Sequence, residues 1–129
     1  MKLLLDTHVF LWCTAMPTRL AADVRGAIQD GANEVFVSAA TAWEIAIKQS
    51  IGKLDLPRPA EQWVPDMIAR SHFEIADVAL GAALRVRSLP WHHRDPFDRL
   101  LIAQALEGGY TLVTHDPVFS AYGVAVMSA

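Results

Sequence analysis

Four carboxylates carry the chemistry that this sequence is equipped to do. Asp6 closes the apolar run Lys2-Leu3-Leu4-Leu5, and Asp116 follows a second such run, Leu112-Val113-Thr114-His115. Glu44 and Asp98 lie near the starts of two helix-like segments. Open α/β sheets place their ligands just outside the carboxyl ends of the strands, where Asp6 and Asp116 would fall. Carboxylates that converge on one face need cations. Mg²⁺ and Mn²⁺ prefer oxygen donors, and Mg²⁺ usually takes one or two carboxylates directly while keeping several waters, so four acids suit one ion or two. Phosphodiester hydrolysis requires an activated water, a charge-stabilised transition state and a stabilised leaving oxygen, all of which divalent ions supply. Without metal the like charges raise one another's pKa values, and metal affinity becomes pH-dependent.

Each acid also has a purely structural role open to it. Asp6 can cap the helix that begins with Thr7-His8-Val9, which does not exclude a ligand role. Glu44 lies in Ala39-Ala40-Thr41-Ala42-Trp43-Glu44-Ile45-Ala46-Ile47-Lys48, a segment apolar almost all round and therefore mostly buried. A carboxylate there is costly unless paired or metal-bound. The structural alternative is an i,i+4 pair with Lys48, worth about 0.2–0.5 kcal/mol on a helix surface. In Asp95-Pro96-Phe97-Asp98, Asp95 is the natural N-cap, which leaves Asp98 as the ligand and Asp95 as a supporting group. Asp116 precedes Pro117 and by itself reads as a turn residue; its resemblance in placement to Asp6 favours the site.

Among the other polar residues, His8, His92, His93 and His115 lack zinc-ligand spacing, so surface or capping roles suit them, with substrate contact open for those near the acids. Arg85, Arg87, Arg94 and Arg99 fall in one stretch that could meet phosphates or form a solvated face; Arg94 and Arg99 flank the acids and are the first choice for substrate contact. Trp91 follows Pro90 and is expected to pack on the core rather than stack a base. There is no Gly-rich phosphate loop, and Ser38 and Ser120 lack a nucleophile-elbow setting.

The elements that must position these residues alternate strand and helix. Strands are expected at 2–6, 34–37, 73–76, 110–113 and 124–127. Helices are expected at 9–15; from a Thr18 cap to about 30; at 39–50 behind a Ser38 cap; at 60–71, broken or kinked near Pro65; from an Asp77 cap to about 88; and from Pro96 behind the Asp95 cap to Gly108-Gly109. This order predicts an α/β fold of three layers, a central parallel sheet of four to five strands between helices.

The chain has 129 residues, 53 % apolar and 19 % charged, which suits one ordered domain over 1–129 with a core large enough to need no staples. Cys13, the single cysteine, excludes an internal disulfide and sits in an apolar stretch as a core thiol. Asp6 interrupts the N-terminal apolar run before an export signal forms, so a cytoplasmic protein is expected, and no apolar run is long enough to span a bilayer. A net charge of −3 counts mildly against a nucleic-acid partner, although bound cations reverse the sign of an acidic site.

Taken together, Leu5-Asp6-Thr7-His8, Ser38-Ala39-Ala40-Thr41-Ala42-Trp43-Glu44, Asp95-Pro96-Phe97-Asp98-Arg99-Leu100-Leu101-Ile102-Ala103 and Leu112-Val113-Thr114-His115-Asp116 resemble the PIN-domain family, and within it the VapC-type toxins of bacterial toxin–antitoxin pairs. The resemblance extends through Ile51-Gly52-Lys53-Leu54 and Leu56-Pro57. It implies a Mg²⁺- or Mn²⁺-dependent ribonuclease whose acidic quartet is Asp6, Glu44, Asp98 and Asp116, with Thr7 and Thr114 supplying supporting hydroxyls. It also implies adjacent first and fourth strands, a homodimer, and a small antitoxin that blocks the site and itself binds operator DNA. Two other readings stand beside it: an inactive dimerisation or interaction module, and a phosphohydrolase with Asp6 as nucleophile, which the absence of an acid at position 8 and of a Lys after Val113 disfavours.

Overall fold

The computed structural model describes residues 1–129. Five parallel strands form one sheet: β1 (Lys2–Leu5), β2 (Glu34–Ser38), β3 (Glu74–Ala76), β4 (Thr111–Thr114) and β5 (Val126–Ser128), in the order β3-β2-β1-β4-β5. The helices are α1 (Thr7–Ala15), α2 (Ala22–Gln29), α3 (Ala39–Ser50), α4 (Ala60–Arg70), α5 (Leu80–Arg85) and α6 (Pro96–Gly108). Successive side chains of a strand point to opposite faces, so each apolar run serves two cores. Leu3, Leu5, Val35, Val37 and Val113 pack with residues of α1 to α4, such as Phe10, Val24, Ile45 and Trp63. Leu4 and Leu112 pack on the other face with Leu101, Ile102 and Ala105 of α6 and with Phe119. The three layers expected from the alternating pattern are therefore present, with five strands.

Sheet order places the site. The order reverses at β1, which pairs with β2 on one side and β4 on the other, with Leu5 opposite Val113. The Asp6 N–H continues that ladder by donating to the Val113 carbonyl, 3.0 Å away. Asp6 and the residues just after β4 thus leave the sheet side by side at its carboxyl edge.

Three element boundaries differ from those expected. Thr18 caps nothing: Pro17–Arg19 is a single 3-10 turn, Leu20 is extended and buried, and α2 restarts at Ala22. Leu20 must turn into the core, which a continuous helix would prevent. Asp77 does not cap α5, which begins at Leu80; the Asp77 carbonyl instead accepts from Gln104 Nε2 at 3.3 Å. Helix α4 runs unbroken through Pro65, which is exposed, so the Glu61 carbonyl deprived of its partner faces water. The caps at Ser38 and Asp95 and the left-handed Gly109 that ends α6 are as expected.

Candidate active site

Asp6 is 5 % exposed and serves two neighbours at once. Its Oδ1 accepts from the Val9 N–H at 2.8 Å, capping α1, and its Oδ2 accepts from the Thr114 hydroxyl at 2.6 Å. The Thr114 hydroxyl oxygen in turn accepts from the Asp116 N–H at 3.0 Å, so one side chain ties the acid after β1 to the acid after β4. Burial raises the Asp6 pKa, opposed by the hydrogen bonds from Thr114 and Val9.

Glu44 projects from α3 and is 4 % exposed. Its Oε1 accepts from the Thr7 hydroxyl at 2.6 Å, and its Oε2 pairs with Lys48 Nζ. The local i,i+4 pair and the placement beside Asp6 through Thr7 coexist. Lys48 belongs to the site as well: its pKa is raised by the hydrogen bond to Glu44 and by the charges of Glu44, Asp95 and Asp98.

Asp98 sits in the first turn of α6, where Asp95 Oδ1 accepts from the Phe97 and Asp98 N–H groups at 2.8 and 3.1 Å. Asp95 is thus the cap, and Asp98 is left free to face the cleft. Burial, followed by the charges of Asp95, Asp6, Glu44 and Asp116, pushes the Asp98 carboxyl up to about 8. Asp116 caps the 3-10 turn Pro117–Tyr122 through Oδ1, which accepts from the Val118 N–H at 2.9 Å. Its turn role and its position at the site are therefore both realised. Its Oδ2 faces His93 Nε2 at 3.1 Å, and the same nitrogen lies 3.0 Å from Asp98 Oδ2.

These acids surround a cleft of about 460 Å³ lined by Asp6, Asp98 and Asp116 together with His8, Trp12, His115 and Pro117. Glu44 lies behind it, joined through Thr7. Among His, Cys, Asp and Glu side chains, one set offers three donor atoms within 4.8 Å of one another: His93, Asp98 and Asp116. Two of these donors are carboxylate oxygens, and Asp6 adds a third carboxylate at the cleft; oxygen is the hard donor that suits Mg²⁺ or Mn²⁺. Burial first and the neighbouring acids second disfavour the Asp98 charge, and a divalent cation would offset both, so such an ion fits the cleft.

Sequence reasoning misplaced two residues. Arg99 is 2 % exposed and cannot reach a substrate. Its Nη1 donates to the Pro90 carbonyl at 2.8 Å and the His93 carbonyl at 3.3 Å, and its Nη2 to Val86 at 2.9 Å and Leu89 at 3.1 Å. It anchors the loop before α6, because a five-donor fork reaches four carbonyls, of which Val86 also accepts from the Leu89 N–H. Trp91 is 72 % exposed rather than packed in the core, and its ring covers the Arg99 guanidinium at 3.8 Å. Arg94 is exposed and stays available to a ligand, whereas Arg85 pairs with Glu107 at 3.2 Å. Two further site residues carried weak signals. His93 stands two positions before the cap Asp95, and Lys48 was visible only as a helix-surface partner of Glu44.

The model of the family described as the PIN domain matches residues 3–125. The chain belongs to the PIN-domain family. A PIN-domain relative from Mycobacterium tuberculosis named Ribonuclease VapC22 is 33 % identical over 114 residues, covering 88 % of this chain and 85 % of its own length. A second from the same organism, Ribonuclease VapC16, is 48 % identical over 56 residues, or 40 % of each chain. The fold is shared with DNA-bound VapBC from Salmonella typhimurium, at 18 % identity and a TM-score of 0.74, covering 99 % of this chain and 98 % of that one. It is shared equally with VapBC2 from Rickettsia felis bound to a promoter DNA fragment, at 14 % identity and a TM-score of 0.72 over 99 % and 98 % of the two chains.

Proposed function

We propose that residues 1–129 act as one PIN domain, a Mg²⁺- or Mn²⁺-dependent endoribonuclease that serves as the toxin of a VapBC-type toxin–antitoxin pair in the cytoplasm. The observation that carries this reading is the grouping of Asp6, Asp98 and Asp116 around one cleft, with the Asp98 carboxyl pushed up to about 8. The kinship with Ribonuclease VapC22 over most of both chains supports RNA as the substrate.

Asp6, Asp98 and Asp116 would hold the cation, with Glu44 behind them. A bound divalent ion supplies Lewis-acid chemistry: it lowers the pKa of a water and neutralises charge on the phosphate. The chain's own groups do the rest. Thr114, with the Val9 N–H, fixes the orientation of the Asp6 carboxylate, and Thr7, with Lys48, fixes that of Glu44. Arg94, exposed in the loop just before α6, meets the RNA backbone. Water enters and the leaving strand departs through the open cleft, where His8 and His115 stand.

Partners follow from the same kinship: a small antitoxin that covers the acids and carries the operator DNA contact, and a second copy of the chain. Leu80 and Leu84, one turn apart on α5, are 75 % and 66 % exposed, which supports a covered face there. No helix is long and apolar enough to cross a membrane.

The test is cleavage of total RNA by the purified protein. Cleavage with Mg²⁺ or Mn²⁺ that disappears with EDTA, and in Asp6→Asn, is the expected result. Cleavage that persists in both would sink the metal-site mechanism, and no cleavage under any metal would favour an interaction module.

A further inference from the structure

His93 is held from several directions. Its backbone N–H donates to the Tyr122 hydroxyl at 2.7 Å, and its carbonyl accepts from Arg99. Its ring meets the Phe119 ring edge-on at 5.7 Å, and the side chain is 17 % exposed. The decisive contact is at Nδ1, which accepts from the Asp95 N–H at 3.1 Å. A ring nitrogen that accepts carries no proton, so the proton of the neutral imidazole sits on Nε2. Nε2 lies 3.0 Å from Asp98 Oδ2 and 3.1 Å from Asp116 Oδ2. One N–H is therefore shared between two carboxylates from different elements, one on α6 and one after β4.

Resting on the reading of these acids as the metal-holding set, we propose that His93 is a positioning residue: its Nε2–H braces Asp98 against Asp116, and it is not itself a metal ligand. The short distances among the three side chains by themselves would suit a ligand as well as a brace. The Asp95 amide decides between them. For Nε2 to ligate while Nδ1 accepts an N–H, both nitrogens would need free lone pairs, which only an imidazolate offers. A ligating histidine instead donates from its second nitrogen to an oxygen acceptor, the reverse of the arrangement here. The brace holds the two acids at a fixed separation despite their repulsion and leaves their remaining lone pairs for the ion.

Two substitutions separate the ring's two functions. His93→Gln places an amide N–H where Nε2–H stands but cannot accept from Asp95. His93→Asn can accept from Asp95 but does not reach the acids. Calorimetric titration with Mn²⁺, which needs no substrate, should show Gln within about threefold of the native affinity and Asn weaker by about 10–100-fold, the range for lost support of metal ligands. Native affinity in His93→Asn, or a Gln variant no better than Asn, would overturn the brace. On the native protein, ¹⁵N spectra of the imidazole should show the proton on Nε2, retained when Mg²⁺ is added. A proton on Nδ1, or its loss from Nε2 on adding Mg²⁺, would overturn the proposal without any mutation. If the native protein binds no divalent ion, the metal reading falls with it; if it binds and the variants bind equally, only the brace falls.

Discussion

Replacing Asp98 with Asn should remove nuclease activity and yet make the metal-free protein more stable at alkaline pH. The unfolded chain gives an Asp carboxyl a pKa near 3.8, and in the folded protein that of Asp98 is pushed up to about 8. Between these values the folded state binds a proton that the unfolded state does not. Stability therefore falls as pH rises from about 4 to about 8, and the full penalty is present above that. At ~1.4 kcal/mol for each tenfold change in proton affinity, a gap of this size corresponds to about 6 kcal/mol as an upper bound. The Asp98 side chain is 24 % exposed, and five acids share the repulsion. Solvent and relaxation bring the realistic penalty to about 2 kcal/mol. The amide is close in shape to the carboxyl and carries no charge at any pH, so Asp98→Asn escapes the penalty. For a chain of this size, 2 kcal/mol corresponds to roughly 6–8 °C in Tm.

Thermal unfolding followed by circular dichroism in EDTA measures the difference. At about pH 5, where the native Asp98 is protonated, the two proteins should melt within a degree or two of each other. At about pH 9 the variant should lead by several degrees, and added Mg²⁺ should restore the native protein more than the variant. A variant that melts at or below the native protein at pH 9 in EDTA would refute the argument, because it would mean that the cluster carries no excess charge to relieve.

Arg99→Met should cost about 3 kcal/mol or more in urea unfolding, since the Pro90, His93 and Leu89 carbonyls lose the guanidinium donor and Val86 loses one of its two. Arg99→Lys should recover part of this, because three donors on one nitrogen cannot span the four acceptors; a stable Arg99→Met protein with only a raised KM would restore the substrate-contact role. Lys48→Met leaves Glu44 buried without its cation and should lower metal-free stability by about 1–2 kcal/mol, discounted for the exposure of the lysine. The same variant should show a larger Mg²⁺-induced rise in Tm than the native protein, and an unchanged rise would show that Lys48 does not compete with the ion.

Much of the architecture is written in local chemistry. Ser38 and Asp95 announce helix starts because their side chains can bond only to nearby N–H groups, and Gly109 marks a stop because it tolerates the left-handed backbone. Where these signals failed, a long-range contact outweighed them. Thr18 could cap a helix, but the chain there bends so that Leu20 can enter the core. Asp77 could cap another, but its carbonyl accepts from Gln104, a side chain 27 positions away on α6 that also accepts from the Ser38 hydroxyl at the end of β2.

What the sequence by itself determined is the set of acids, the layers that carry them and the family, because strand ends, caps and alternating burial are local properties of a chain. Only the tertiary structure decided the roles of the residues between those motifs. Arg99 looks like a phosphate contact until the loop from Val86 to His93 folds over it and turns its charge inward. His93 looks like a surface histidine until β4 sits beside β1 and brings Asp116 within 3.1 Å of a ring nitrogen that also faces Asp98. The physical reason is the same in both cases: a side chain's charge, tautomer and exposure are set by the groups that surround it, and those groups come from parts of the chain whose proximity only the closed sheet creates.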